Sequence, residues 1–549
     1  MLFAELIEGV GMSKIFLTVA LFFGMAQAKV SEESWLRGPA SSEVNIEFSI
    51  DTVILGDDSA DASILFIPKE EVAKMSAPDS STPVRRWIFN SKKFEGKIGQ
   101  TCCFPIGHID SLMVEGFVGI GDAMKIDQKG IEEIRRALGS VISKLREYNV
   151  SHIAAGPIGV DKFSVSMESL VRDLATTLVM SLYKFDCLKT DGKKWNPKVT
   201  FVPFEGYTGN KLELRKAFEE GVMIGKSVNM ARYLADIPPN YLNPEFFAKY
   251  AERRVAKENG LEFRVFGRER ALELGMGGFC AVDSGSTANP GRFVTLEYKC
   301  GEKDAKKIAL VGKGVTFDSG GLTLKPFRSM TDMKYDMCGA ASVLATMNAV
   351  AQLKPKVNVV GIMPLVENMP DGKACRQDDV ITHMNGKTTE IQNTDAEGRL
   401  ILADALCYAE KFHSPDVIID VATLTGGCLH SLGHFYSAVM TRDTNLREKI
   451  ISSGTRCGER MWPLPLDDDF KAAIKSEVAD VANSGIPKYF AGTVTAGMFL
   501  ENFVTNSHWA HIDIAGTAHG VPDISYVGGG ATGVPVRTFI DLIKSYEEG

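Results

Sequence analysis

The sequence predicts an α/β protein of two domains: a smaller N-terminal α/β domain and a C-terminal domain with a mostly parallel sheet flanked by helices. Three observations favour this fold class. Short apolar runs alternate with helical stretches through the second half, as in parallel sheets that helices cover on both faces. The first half has its own set of such runs. One long helical pattern separates the two halves.

Composition and charge limit the class of protein. The chain has 549 residues, 45% of them hydrophobic, which is enough for sizeable cores. A net charge of -8 argues against a general nucleic-acid binder, which needs a basic surface. The ten cysteines are scattered, apart from the adjacent Cys102 and Cys103, and indicate buried thiols. We expect no nucleic-acid partner and no membrane-spanning segment.

Residues 1–28 are predicted as a candidate signal peptide. Ile15–Met25 is an apolar run of signal-peptide length, with Lys14 before it and the cleavage pattern Ala26-Gln27-Ala28 after it. Read from Met12, residues 12–28 suit a secretory signal, whereas read from Met1, Glu5 and Glu8 do not suit the basic start of such a peptide. The predicted location is therefore the secretory pathway, with the cytoplasm as the alternative, because ten unpatterned cysteines suit a reducing compartment.

Residues 29–205 are predicted as the N-terminal α/β domain. The strand-like runs Ile46–Ile50 and Ser63–Ile67 precede the helical stretch Gly130–Tyr148. No cluster of catalytic side chains occurs in this part. We therefore expect a role in packing, gating or assembly.

Residues 206–236 are predicted as a linker helix, and residues 237–549 as the catalytic domain. Apolar residues recur near helical spacing over Asn210–Leu234, and Ile237-Pro238-Pro239-Asn240 ends the pattern. The predicted strands beyond it are Ile308–Val311, Val357–Ile362, Val417–Val421 and Ile512–Ile514. The predicted helices are Ala340–Leu353, Leu400–Phe412 and Val536–Tyr546. Sites in such sheets gather at the carboxyl ends of the strands.

The strongest signal for chemistry is the segment Asn393–Leu400. Asp395, Glu397 and Arg399 lie two residues apart, so in extended backbone their side chains leave on one side. The apolar helix behind them places the charges at a helix N-terminus, where free N–H groups favour anions. Charges fixed against a core indicate a binding site, and the alternative is an ordinary surface loop.

A second group of charges follows the strand Ile308–Val311. Lys313, Asp318 and Lys325 lie in glycine-rich backbone, and Asp336 precedes an apolar helix. With the two carboxylates above, they offer oxygen ligands that suit Mg, Mn or Zn, and a bridging carboxylate can hold two ions roughly 3.5–4 Å apart. Lysine is an unusual ligand because it must lose a proton, which a nearby dication favours. The alternative is that each charge pairs with a neighbour on a solvated face.

Three other patterns favour no catalytic role. Asp318-Ser319-Gly320-Gly321 is similar to a serine-protease nucleophile loop, but the alternating α/β pattern does not suit that fold. Gly528–Gly533 fits GxGxxG, yet too little chain follows it for a dinucleotide site, so a glycine turn is expected. His430 and His434 are four residues apart and could share a helix face, but a pair without a third ligand is a weak metal signal.

These segments resemble the leucine aminopeptidase family, the two-metal exopeptidases also called cytosol aminopeptidases. The specific similarity runs from about Arg232 to the C-terminus and keeps the family's order. The segments that carry it are Lys313–Lys325, Asp336, Asn393–Leu400, Ala422–Gly426, Trp509–Gly516 and Gly530–Gly533. The resemblance implies an N-terminal α/β domain unlike the catalytic one, and a homohexamer.

The resemblance also implies a role for each site residue. The metal ligands would be Lys313, Asp318, Asp336, Asp395 and Glu397, with Asp318 and Glu397 bridging two divalent ions (Zn, or Mn, Mg or Co). The catalytic pair would be Lys325 and Arg399. The pocket for the N-terminal side chain would be shaped by Met333, Thr423, Gly426 and Ala515.

Two departures from the family pattern bear on the site. Arg376-Gln377-Asp378-Asp379 stands where the family usually has Arg-Pro-Gly-Asp, which we expect to loosen this loop. Ala518 stands where some members have Met, which leaves the side-chain preference open.

The predicted function is a metal-dependent aminopeptidase of the leucyl aminopeptidase type. It would hydrolyse an unblocked N-terminal residue, leucine-like preferred, from peptides by a two-metal-activated water. Lys325 would stabilise the oxyanion, and Arg399 would hold bicarbonate as a general base. The alternatives are a dipeptidase such as a Cys-Gly hydrolase, or a catalytically silent scaffold on the same fold. The charge cluster argues against the scaffold because it is costly to bury.

Overall fold

The structure is a computed structural model. It describes residues 32–36, 45–49, 60–75, 83–106, 113–157, 164–190, 194–202, 209–485 and 487–547. The chain divides into two compact units, Met1–Pro39 and Ala40–Gly549. In the first unit, the described residues form the helix Glu32–Leu36. The predicted signal segment Ile15–Met25 and its cleavage pattern lie outside the described residues and stay predictions.

The first sheet lies in the predicted N-terminal domain. Over the described ranges it has six strands, which in sheet order are Ile46–Phe48, Lys198–Phe201, His152–Pro157, Ala62–Pro68, Met113–Gly121 and Thr101–Ile106. The last strand is antiparallel to its neighbour and the others pair in parallel. The helices are Val72–Met75, Pro83–Asn90, Gln128–Glu147 and Met167–Leu182, with 3-10 turns at Lys69–Glu71 and Ala123–Lys125. The two long helices bury an apolar face against the sheet.

A long helix, Lys211–Asp236, follows this sheet. The side-chain oxygen of Asn210 caps it by accepting hydrogen bonds from the backbone N–H groups of Leu212 and Glu213. The helix packs against the helix Met167–Leu182 and also against the helix Cys338–Leu353, which lies further along the chain. The helix predicted at this place is therefore present, and the predicted domain limits at 205 and 237 stay predictions.

The second sheet has nine strands in the part of the chain that the structure describes. In sheet order, eight of them are Met461–Pro463, Ser437–Met440, His508–Asp513, Val417–Ala422, Lys307–Gly312, Asn358–Asn368, Arg292–Tyr298 and Glu262–Phe266, and Gly314–Asp318 pairs with the end of Asn358–Asn368. The central strands are parallel, whereas antiparallel pairs lie towards both edges. A smaller sheet contains Val380–Thr382, Thr388–Glu390 and Val481–Ala482.

Helices cover both faces of the second sheet, as its apolar central strands require. They are Pro244–Tyr250, Ala251–Lys257 (a π-helix), Arg268–Glu273, Gly277–Asp283, Phe327–Met330, Cys338–Leu353, Gly398–His413, Gly426–Leu432, Thr444–Cys457, Gly492–Glu501 and Val536–Ser545, with 3-10 turns at Met333–Met337, Asp468–Ile474 and Pro487–Tyr489. None of the described helices is both long and apolar enough to cross a membrane. The predicted α/β fold class is confirmed, with a mixed sheet whose centre is parallel.

Candidate metal centre

Backbone hydrogen bonds fix the charged residues that follow the central strand Lys307–Gly312. The Lys313 N–H donates to Val421 O at 3.0 Å, and the Lys313 carbonyl accepts from the Ala340 N–H at 2.8 Å. Lys313 is thus held between a neighbouring strand and a helix. Asp318 stands at the end of the next strand.

After this strand end the backbone turns back sharply at two glycines. Gly320 and Gly321 have φ angles of 88° and 63°, and the Lys325 N–H donates to Ser319 O at 2.9 Å. A Cβ on Gly320 would lie 2.7 Å from Asp395 Oδ1. The turn therefore requires glycine, and it returns Lys325 to the end of the strand.

The segment from Asn393 to Arg399 is not extended. The Ala396 N–H donates to Asn393 O at 3.2 Å, which makes a turn, and Glu397 already has helical angles (φ -76°, ψ -38°). The prediction that extended backbone sends all three charges to one side is wrong, because the turn and the helix start rotate Arg399 away. Its Nη1 donates to Asn483 O at 2.8 Å, while the two carboxylates still converge.

Lys313, Asp336 and Glu397 form what we call the inner cluster. Lys313 Nζ lies 2.9 Å from Asp336 Oδ1 and 2.8 Å from Glu397 Oε1, and it donates to Thr423 O at 2.9 Å. The three side chains are 4%, 6% and 2% exposed. The ammonium group is enclosed by oxygen atoms on several sides.

Lys325, Asp318 and Asp395 form the outer cluster. Lys325 Nζ lies 2.8 Å from Asp318 Oδ2 and 2.5 Å from Asp395 Oδ1. The side chain of Lys325 is 14% exposed and that of Asp395 is 31% exposed. This cluster reaches solvent, which the inner cluster does not.

The two clusters together hold four carboxylates against two ammonium groups. Single oxygens of Asp318, Asp395 and Glu397 lie within 4.8 Å of one another. Asp336 Oδ2 and Glu397 Oε2 are buried without a hydrogen-bond partner. Because an unpartnered buried carboxylate oxygen is costly, this donor set fits divalent cations, which prefer such oxygens.

The pKa values in the clusters reflect this deficit of positive charge. Burial, followed by the charge of Glu397, raises the pKa of Asp318 to about 6. Burial also raises the pKa of Asp336 well above its usual value. Burial opposes the charge of Glu397 too, but Lys313 and Lys325 outweigh it and lower the pKa of this carboxyl. Burial, followed by the charge of Glu397, also raises the pKa of Asp395. The shortage of positive charge therefore falls on the three aspartates.

The Arg399 guanidinium is buried beside the clusters and keeps free hydrogen-bonding capacity. Its Nε is buried without a partner, and over the described residues no carboxylate forms an ion pair with it. Burial lowers its pKa to about 10, so it remains charged at neutral pH. The arrangement leaves Arg399 able to hold an anion.

The four predicted pocket residues lie on segments that adjoin the clusters. Thr423 Oγ1 donates to Asp336 Oδ1 at 2.7 Å. Gly426 begins a helix, and no atom lies within 4 Å of a Cβ built on it. Ala515 follows the neighbouring parallel strand, and Met333 begins the 3-10 turn that carries Asp336. Their role in binding substrate stays a prediction.

Two asparagines that sequence reasoning missed join the segments of the site. Asn368 Nδ2 donates to Asp318 Oδ1 at 2.8 Å and to Thr394 O at 3.0 Å. Asn483 Nδ2 donates to Asn393 O at 2.6 Å, and its own carbonyl accepts from Arg399. Asn368 ends a central strand. Because sites gather at the carboxyl ends of such strands, this position is the sequence feature that could have identified Asn368 as a site residue.

The two departures from the family pattern lie within the described residues. The Asp379 N–H donates to Arg376 O at 3.3 Å, and the Arg376 N–H donates to Asp379 Oδ2 at 2.9 Å. Gln377 Nε2 also donates to Thr323 Oγ1 at 2.6 Å. Asp378, which stands where the family usually has Gly, has a φ of 69°, and the loosening of this turn stays a prediction. Ala518 is buried, 1% exposed, and the side-chain preference stays open.

The other patterns behave as ordinary structure. Ser319 Oγ donates to Asn368 O at 2.7 Å. The helix Gly426–Leu432 ends before His434, whose Nδ1 contacts Gly516 O at 2.9 Å, so the two histidines do not share a helix face. Gly528–Gly533 forms a turn in which Gly528, Gly530 and Gly533 have positive φ.

Comparison with known proteins assigns the chain to a family. The catalytic-domain model of the cytosol aminopeptidase family matches residues 229–540, and the model of that family's N-terminal domain matches residues 85–192. The chain belongs to the cytosol aminopeptidase family. A probable cytosol aminopeptidase of Chlorobaculum tepidum is 43% identical over 440 residues, which cover 78% of this chain and 85% of that protein. One of Persephonella marina is 40% identical over 462 residues, which cover 83% and 90%.

A solved structure is similar to this chain over most of its length. The bottromycin maturation enzyme BotP in complex with Mn has a TM-score of 0.76 and 32% identity, and the match covers 89% of this chain and 100% of that one. The predicted family, the two-domain α/β fold and the metal-dependent aminopeptidase class are thereby confirmed.

Proposed function

We propose that this cytosol aminopeptidase removes an unblocked N-terminal residue, leucine-like preferred, from peptides at the inner and outer clusters. The observation that carries the proposal is the excess of four carboxylates over two ammonium groups, with two buried oxygens left unpartnered. Two divalent ions per subunit would be held by Lys313, Asp318, Asp336, Asp395 and Glu397, with Asp318 and Glu397 shared. Zn is the first candidate, then Mn, Mg or Co.

Bound there, such ions supply Lewis-acid activation of water and of the scissile carbonyl near neutral pH. Lys313 would have to release a proton to act as a metal ligand. In the metal-free protein, its ion pairs with Asp336 and Glu397 stabilise the protonated ammonium form. Asn368 keeps one oxygen of Asp318 occupied by a hydrogen bond. The other oxygen, Asp318 Oδ2, lies 2.8 Å from Lys325 Nζ.

Lys325 is proposed to stabilise the oxyanion. Its ammonium group is the more exposed of the two, and the glycine turn holds it at the end of the strand that carries Asp318. A donor fixed where charge develops lowers the barrier because it need not reorganise during the reaction. The pocket for the departing side chain would be formed by Met333, Thr423, Gly426 and Ala515.

Arg399 is proposed to hold a small anion, such as bicarbonate, that serves as general base. Its buried guanidinium has an unpartnered Nε and keeps its charge at neutral pH. The residue lies in the first turn of the helix Gly398–His413, where backbone N–H groups also favour anions. An anion bound there could accept the proton of the attacking water.

Turnover of leucine-amide and of Cys-Gly, measured before and after chelation, tests the proposal. We expect hydrolysis of leucine-amide that stops on chelation and returns with Zn, Mn or Co. Rapid turnover of Cys-Gly alone would favour the dipeptidase alternative. Full activity in metal-free protein would overturn the metal mechanism, and no activity in metal-loaded protein would leave a silent scaffold.

A homohexamer is proposed on family membership. Sedimentation at micromolar concentration should give six copies, and a monomer would overturn it. Cleavage near Lys29 and a secretory location are proposed from Ile15–Met25. N-terminal sequencing of the native protein decides between this and an intact cytoplasmic chain that still begins with Met1.

A further inference from the structure

Asp236 lies where the N-terminal domain meets the segment that carries Asp336. It is the last residue of the helix Lys211–Asp236 and is 3% exposed. Its carboxylate accepts hydrogen bonds from the Tyr183 hydroxyl at 2.7 Å, the Tyr335 hydroxyl at 3.1 Å and the Ala531 N–H at 3.0 Å. Three donors compensate the burial of this carboxylate.

Tyr183 is the contribution of the N-terminal domain. It follows the helix Met167–Leu182 and is itself buried, 5% exposed. The Arg232 guanidinium lies 4.2 Å from the centre of its ring and donates to Met180 O and Ala531 O. The position of the Tyr183 hydroxyl is therefore fixed by buried contacts.

On the catalytic side, two successive residues are anchored on Asp236. Lys334 Nζ donates to Asp236 O at 2.7 Å, and the Tyr335 hydroxyl donates to its carboxylate. The next residue is Asp336, within the 3-10 turn Met333–Met337. A five-residue turn held at two positions leaves little freedom for the third, so Asp236 contributes to the placement of Asp336, together with its contacts to Thr423 and Lys313.

The glycine-rich segment near the C-terminus takes part in this junction. Gly530 has a φ of 91°, and a Cβ on it would lie 2.7 Å from Asp236 Oδ1. Glycine thus permits the Ala531 N–H to reach the carboxylate. The segment Gly528–Gly533, which fits the GxGxxG pattern, thus brings a backbone N–H group to Asp236.

We propose that Asp236 is a positioning residue through which the N-terminal domain sets the Asp336 side of the metal site, with the Tyr183 hydroxyl as the contact. The proposal rests on the two-metal site proposed above. It gives the N-terminal domain a defined effect on metal binding, because loss of the Tyr183 hydroxyl leaves Asp236 Oδ2 without this donor. The carboxylate that holds Tyr335, and with it the turn that carries Asp336, is then less firmly held.

A matched pair of variants tests this coupling. Tyr526 is also buried, and its hydroxyl contacts Glu132 of the N-terminal domain at 3.1 Å rather than Asp236. Tyr183→Phe and Tyr526→Phe each remove one buried hydroxyl between the same two domains. In Mn titrations of the metal-free full-length protein, we expect Tyr183→Phe to weaken one of two binding steps about three- to tenfold, as the loss of one hydrogen bond allows. Tyr526→Phe should leave both steps unchanged.

Tyr335→Phe and Asp236→Asn complete the design. Both should weaken the same binding step as Tyr183→Phe, and adding Tyr183→Phe to Tyr335→Phe should cost less than the two separate effects combined. Equal Mn affinity in Tyr183→Phe, Tyr526→Phe and the parent overturns the coupling. An equal loss of Mn affinity in Tyr183→Phe and Tyr526→Phe overturns it as well. A parent that binds neither Mn nor Zn instead overturns the proposed two-metal function, which this design separates from the coupling.

Discussion

The inner and outer clusters have the same composition, one lysine and two carboxylates, but they differ in enclosure. In the inner cluster, Lys313 contacts a backbone carbonyl as well as two carboxylates, and no side chain is more than 6% exposed. In the outer cluster, the Asp395 side chain is 31% exposed. Water screens the outer charges more strongly than the inner ones. The same residue types thus lie in two different environments.

The backbone explains this difference. Lys313 lies between a central strand and a helix, where packing is closest, whereas Lys325 lies after a glycine turn at the edge of the site. We infer that the inner cluster fixes the ligand geometry and that the outer cluster meets the substrate. The predictions below test this division, from the largest expected effect to the smallest.

The largest effect is expected at Glu397, whose carboxylate contacts Lys313 and lies close to Asp318 and Asp395. Glu397→Gln keeps the shape and removes the charge that both clusters share. We expect loss of both metal ions and a fall in turnover beyond about 10³-fold, more than one oxyanion donor is worth. Elemental analysis and a leucine-amide assay measure this.

The control for this change is Glu410→Gln, at the other end of the same helix, which should keep metal and activity. Asp336→Asn and Asp395→Asn sharpen the comparison, because the inner change should remove metal more completely than the outer one. Equal metal content in all four variants would contradict the division into two clusters.

Lys325→Ala should have the next largest effect, and it should act on kcat. Removal of one oxyanion donor costs about 10²–10³ in rate, with little change in KM if the contact forms mainly in the transition state. Steady-state kinetics on leucine-amide measure this, with the exposed Lys306→Ala as control. A raised KM at unchanged kcat would place Lys325 in ground-state binding instead.

Arg399→Ala should be milder, on the order of tenfold in kcat, because bulk water can partly replace the bound anion as base. Its residual activity should depend less on added bicarbonate than that of the parent. Metal content should stay unchanged, since over the described residues Arg399 pairs with neither Asp395 nor Glu397. Loss of metal in this variant would show that Arg399 serves to neutralise the ligands.

The elements that carry the site were predictable from the sequence because each has one strong local signal. The strands predicted to end at Val311 and Val421 end one residue later, and the helix predicted from Leu400 begins at Gly398. Apolar runs of strand length and helical periodicity suffice there. Since the charges directly follow these elements, their convergence at the carboxyl ends of the strands could also be predicted.

The remaining features depend on contacts between distant segments. The turn at Asn393 is stabilised by Asn483, which is 90 residues away and carries no charge to mark it. Likewise, Asn368 reaches two segments through one amide group. Residue spacing alone suggested an extended backbone, and the tertiary hydrogen bonds override it.

The smallest effect concerns the stability of the metal-free protein. Asp318 has a pKa of about 6 in the folded chain against a usual value of 3.8, so the folded state holds this proton more tightly than the unfolded state. Its contribution to the free energy of unfolding is therefore complete below about pH 4 and is lost as the pH rises through about 6. A bound metal ion replaces the proton, so the metal-loaded protein should lack this dependence.

Urea unfolding between about pH 4.5 and 7, with and without Mn, measures this contribution as the difference between the parent and Asp318→Asn. Asp416 provides a control of opposite sign. Burial opposes its charge, but Lys306 and a backbone hydrogen bond lower its pKa, so its contribution is lost as the pH falls. If the metal-free parent and Asp318→Asn show the same pH dependence, the outer carboxylate is not short of positive charge. The contrast between the clusters would then reduce to exposure alone.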